Sequence, residues 1–249
     1  MAGRSRLADV GAEVLAAALA RSHRADPVAP RSGGPAGNAR LTAWTGLVLL
    51  VLFLAELVTL VDVRGLISWH LALGVVLVPP ALLKTASTGW RVVQYYSGGA
   101  PYRQAGPPPL VLRLLGPLVV AGTTALLGTG VVLVLLGEAT GRRALFSVLG
   151  QRVDALTLHQ AAFVMWSAVT GLHVLGRLLP AWQLTLATRQ EVPGRRRRAV
   201  ALLVVLVLSG ACADWVLAQP GGWRSVQHHG SFHGRQPGTE EQGRPPVPG

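Results

Sequence analysis

His159 and His173 stand fourteen residues apart within one apolar stretch long enough to cross a bilayer. In a helix that interval is just under four turns, so the two imidazoles lie on nearly one face, about 40° apart in azimuth and roughly 21 Å apart along the axis. An earlier apolar stretch carries His70 and, again fourteen residues later, Lys84. A polar side chain at such depth is costly enough to need a purpose, and neutral imidazole is a common metal ligand. A low-spin b-type haem takes two imidazoles on opposite faces of its ring, without covalent attachment, so its ligands come from two facing helices at equal depth. The chemistry open to these residues is electron transfer through haem within a membrane.

The elements that must position them are membrane helices. Half of the 249 residues are hydrophobic and 14% are charged, too apolar for an ordinary soluble domain. Five runs have spanning length, at about 42–63, 66–87, 112–137, 156–179 and 199–219. The expected fold is all-α, an integral membrane helical bundle of five transmembrane helices with a four-helix core holding the haem. Residues 1–40 read as a cytoplasmic segment with a surface helix from Arg6 to Ala25 and a Pro/Gly linker; 41–219 as the membrane domain; 220–249 as a disordered outer tail. No secretory signal is expected, because the first forty residues lack an apolar core before a cleavage site.

The formal charge of +12 follows the positive-inside rule rather than marking a nucleic-acid binder. Arginines precede the first span, follow the second (Arg91, Arg103) and crowd the loop after the fourth (Arg189, Arg195 to Arg198). The loop after the first span offers only Arg64, and in the loop after the third Glu138 and Asp154 dilute Arg142, Arg143 and Arg152. The N terminus is therefore expected inside and the C terminus outside. Cys212 is the single cysteine, which excludes an internal disulfide, an iron–sulfur cluster and a CxxCH haem attachment. It reads as a small buried packing residue.

Spans two and four run in the same direction, so depth can be compared directly. His70 and His159 both lie near the outer starts of their spans; His173 lies near the inner end of span four, at the depth of Lys84. That register yields one bis-histidine site and one site with His173 opposite Lys84. Three roles are open to Lys84: snorkelling to the headgroups, ligation of a second haem, or a salt bridge to a haem propionate. Arg64 and Arg152 outside, and Arg91 and Arg113 inside, are propionate partners by depth. Gly116 and Gly130 in span three repeat the fourteen-residue interval and would let two flat rings approach, although small-residue helix packing explains glycines equally well. Glu56, inside span one, reads as packing against a polar partner, contacting a quinone or relaying a proton. The Pro79–Pro80 pair is expected to kink span two, and the segment from Thr88 to Arg103 reads as a structured loop. The histidines of the tail (His228, His229 and His233) form a short tract of the kind that binds zinc or copper.

The pattern resembles the bacterial cytochrome b membrane subunits of the cytochrome b561 type, over about residues 42–180. The likeness rests on His70, His159 and His173, their fourteen-residue interval and the glycines of span three. The stretch from Lys84-Thr-Ala-Ser-Thr-Gly-Trp-Arg through Gly106-Pro-Pro-Pro is similar to an actinobacterial group of b-type cytochromes. The resemblance implies one or two b haems, electron flow between a quinone pool and a partner redox subunit of molybdoenzyme or other oxidoreductase type, and a bacterial plasma membrane. Any enzymatic activity would then belong to the complex. Two departures stand out: span one has no histidine, and the fourth ligand position holds Lys84. Two other classes compete, a small transporter or channel with Glu56, Lys84 and the histidines along an ion path, and a haem-less anchor subunit.

Overall fold

The computed structural model describes residues 26–106, 110–187 and 191–218, together with Ala12. Most of the expected surface helix and the histidines at 23, 228, 229 and 233 lie outside the described residues.

Among the described residues five helices are long and apolar enough to cross a bilayer, which makes this an all-α, multi-pass membrane protein. Helix α1 spans Gly34–Thr59. It begins earlier than its apolar run, because Gly33 turns the chain with a φ of 79° and Pro35 sits in the first turn, where no amide hydrogen is needed. The Pro/Gly linker expected before the first span is thus partly helical, from Gly34 onward. A short 3-10 turn at Leu60–Asp62 and an Asp62 side chain that accepts from the Gly65 amide at 3.0 Å reverse the chain.

Helix α2, Ile67–Ser97, runs unbroken through Pro79 and Pro80 and ten residues past the expected end of its span. It stops at Gly98, whose φ of 106° is the left-handed cap that terminates helices. The segment expected as a structured loop is therefore mostly helix, completed by the short α3 at Ala100–Ala105. Hydroxyls and amides knit α2 to α1 there: Asn38 Nδ2 donates to the Ser87 carbonyl at 2.9 Å, and Thr42 and Ser87 share a hydroxyl bond of 2.9 Å.

Helix α4, Leu110–Gly141, is bent at Gly137, which has a non-helical φ of 69°. A two-stranded antiparallel hairpin follows, β1 (Phe146–Val148) and β2 (Gln151–Val153). The sequence reading did not foresee it. Its two-residue turn puts Leu149 and Gly150 at φ 50° and 79°, the primed geometry that suits the twist of paired strands. Helix α5 spans Ala155–Trp182 and ends in a wide turn at Gln183–Ala187; α6 is Arg195–Ala218.

The packing pairs α1 with α2 and α4 with α5, sets α4 beside α2 and α1 beside α5, and lays α6 on the outside of α2. The four core helices thus form a square in which α2 and α5 occupy one diagonal and barely touch. Between them the middle of the bundle is filled. Leu49, Leu77 and Ala81 form one buried cluster, Leu126, Ala162 and Trp166 another, and Phe53 packs against both. The rings of Phe53 and Trp166 lie 4.5 Å apart, and Trp166 donates to Thr123 Oγ1 at 3.0 Å.

Candidate functional site

The first residues of α2 and α5 bring His70 and His159 together at the end of the bundle that carries the β-hairpin. Their ring centroids are 6.4 Å apart and their planes nearly perpendicular, at 82°. The depth match expected from sequence is therefore a spatial match as well.

Hydrogen bonds define which nitrogen of each ring is free. Thr59 Oγ1 donates its proton to the Glu56 carbonyl at 2.6 Å, so towards His70 Nδ1, 3.0 Å away, it acts as acceptor. Glu56 Oε1 lies 2.8 Å from the same nitrogen. On the other ring, Thr129 Oγ1 donates back to the carbonyls of Ala125 and Leu126 at 2.7 and 3.0 Å and accepts from His159 Nδ1 at 3.0 Å. A hydroxyl has one proton to give. Both imidazoles are accordingly Nδ1–H tautomers, with the Nε2 lone pair left over, and that is the form in which histidine ligates a metal while its other nitrogen is held by an outer partner.

The spacing fits a metal between the rings. A metal–imidazole bond of about 2 Å puts each ring centroid roughly 3 Å from the metal, so two imidazoles on opposite sides have centroids roughly 6 Å apart. Gly130 lies against one side of this pair: a Cβ there would come 3.2 Å from His159 Cε1. Among the described residues no three His, Cys, Asp or Glu side chains gather as a metal cage, so the donor set is two imidazoles. That set suits a group that brings its own equatorial ligands, such as haem.

The arginine-rich end differs. Thr123 on α4 bonds Trp166 on α5, and Gly130 meets His159. Continuing this antiparallel register by seven residues on each helix brings Gly116 to the level of His173. Yet nothing lies within 4 Å of a Cβ at Gly116, and His173 Nδ1 is buried without a hydrogen-bond partner among the described residues. Among the described residues, a single imidazole at the level of an open Gly116 is all that is offered here as a ligand set. Lys84 turns the other way: its Nζ donates to the Thr42 carbonyl on α1 at 3.1 Å, in the space that Gly46 leaves, where a Cβ would stand 2.8 Å from Nζ. To ligate a metal at His173, Lys84 would have to leave Thr42.

The arginines separate as well. Arg91 makes a two-pronged bond to Asp26 at 2.9 and 3.0 Å, so its guanidinium is committed. Arg64 and Arg113 also have partners, while Arg152 sits exposed on β2. Of the run after the fourth span, Arg198 is buried rather than solvated. It donates to the carbonyls of Ser32, Pro193 and Val192 at 3.3, 2.8 and 2.9 Å and clamps the loop before α6 onto the start of α1. Asp154, outside the spans, caps α5 by accepting from the Thr157 amide and hydroxyl at 2.7 and 2.8 Å, and these bonds hold its carboxyl below the usual aspartate range.

Sequence reasoning singled out both ring-bearing residues of the pair and Glu56, but not Thr59 and Thr129. A threonine in an apolar helix bonds its own preceding turn and so leaves no mark in composition or spacing. Arg177, one turn beyond His173 and electrostatically coupled to it, was also passed over. Comparison of the chain with family models, with curated proteins and with solved structures returned no match.

Proposed function

We propose that this chain is a membrane-bound b-type cytochrome that holds haem between His70 and His159 and passes electrons between a quinone pool and a partner redox protein. One observation carries the reading: two imidazoles from diagonal helices, both tautomerically set with Nε2 free, stand 6.4 Å apart. Bound there, haem supplies a one-electron couple. The chain's own contribution would be the two imidazoles, the hydroxyl acceptors and the carboxylate behind them, and the plug of Phe53 and Trp166 that fills the mid-bundle. A second haem at His173 is the extension of the proposal, with Gly116 leaving the room and Lys84 or Arg177 supplying charge for a propionate. The arginine distribution supports a cytoplasmic N terminus in a bacterial plasma membrane, with the His70–His159 site near the outer face.

A reduced-minus-oxidised visible spectrum of the purified protein, with pyridine-haemochrome quantitation, tests the reading. A sharp low-spin b-type α band is expected, lost in both His70→Ala and His159→Ala and retained in His173→Ala. A colourless protein from cells with adequate haem would reject it in favour of a transporter or an anchor.

A further inference from the structure

The two imidazoles of the candidate site are not backed alike. His159 is backed by neutral groups, the hydroxyl of Thr129 at 3.0 Å from Nδ1 and the Leu126 carbonyl. His70 Nδ1 faces a hydroxyl at 3.0 Å and, closer, a carboxylate oxygen of Glu56 at 2.8 Å. Glu56 belongs to the last turns of α1, where Thr59 is the one other polar side chain. Its one ion-pair partner among the described residues is His70, and its second oxygen, Oε2, is buried with no hydrogen-bond partner. A carboxylate held at such depth is expensive. Helix packing does not require it, since Thr59 alone already satisfies the His70 Nδ1–H.

A carboxylate beside the Nδ1–H of a ligating histidine draws the proton away from the ring and makes Nε2 a stronger donor. Stronger donation and a nearby negative charge both favour the more positive, oxidised state of a bound metal, so they lower its reduction potential. A hydroxyl acceptor does much less. We propose that Glu56 is a positioning residue that makes His70 the stronger of two unequal axial ligands and sets the reduction potential of the group held between His70 and His159. This inference rests on the haem reading given above, and adds that the potential is governed from α1, a core helix that supplies no ligand.

The test is a spectroelectrochemical titration of the full-length protein, haem-loaded, at one fixed pH. Glu56→Gln keeps the shape and an acceptor oxygen but removes the charge. It should retain the low-spin spectrum and shift the midpoint potential upward, whereas Thr129→Val, on the neutral side, should shift it less. Glu56→Asp keeps the carboxylate and should stay nearer the wild type than Glu56→Gln does. Equal potentials in the wild type and Glu56→Gln overturn the inference and leave the haem reading intact. Should Glu56→Gln fail to assemble, equal potentials in Glu56→Asp and Glu56→Ala do the same. A wild-type protein without haem overturns the underlying reading and this inference with it.

Discussion

At the scale of single residues, the candidate site is decided by which atom of each ring is already engaged. Two threonines that spend their protons on carbonyls of their own helices become acceptors for imidazole, and this frees the opposite nitrogen of each ring. Losing such an outer partner typically weakens metal binding about 10–100-fold. Thr129→Val should therefore release haem to apomyoglobin much faster than the wild type. Thr59→Val should have a smaller effect, because the Glu56 carboxylate still stands 2.8 Å from the same nitrogen. Equal release rates in both variants would contradict this assignment of roles. The histidines themselves were legible from spacing and depth alone, since imidazole in an apolar span is conspicuous. The threonines were not, because nothing in the chain shows that residues eleven and thirty positions before a histidine will meet it.

At the scale of elements, the ends of helices matter more than their middles. Each apolar run announced its helix, yet α2 continues ten residues beyond Ser87 through a polar stretch tied at Arg91 to Asp26. Periodicity of apolar residues cannot register such bonds. Helix α5 begins at a cap that is also a pH sensor. The Asp154 carboxyl is held below its ordinary range by Thr157, so its bond is complete above that range and disappears as the pH falls through the lowered value. Hydrogen exchange at the Thr157 amide, taken relative to its intrinsic rate at each pH, should be slow at neutral pH and faster in acid. In Asp154→Ala it should be fast throughout, with a small loss of thermal stability and more fraying just ahead of His159.

Across the whole molecule, four helices leave a diagonal on which α2 and α5 hardly touch, and their histidines face each other across it. The plug of Phe53 and Trp166 divides that diagonal into two levels, and the levels are unequal: paired imidazoles at one, His173 beside open space at the other. Long-range ties hold the frame, above all Arg198 reaching back to Ser32. Arg198→Ala strands three carbonyls in a buried place and should cost on the order of 2–3 kcal/mol, read as a lowered unfolding temperature in detergent, while Arg196→Ala, on the exposed side of the same run, should be nearly neutral. Reporter fusions test the orientation: alkaline phosphatase at the C terminus should be active and a fluorescent protein there dark, the opposite of the same fusions at the N terminus.

Composition and run length by themselves determined the fold class, because about twenty consecutive apolar residues have few alternatives to a membrane helix. The fourteen-residue interval and the alternating direction of the spans determined that His70 and His159 share a depth. Only the tertiary structure decided that they share a site, that Glu56 belongs to it, and that Lys84 turns to Thr42 on α1 rather than towards His173. Depth is a property of one helix and can be counted along the chain. The direction of a long polar side chain depends on which neighbouring helix offers a carbonyl and, as at Gly46, leaves the space to reach it.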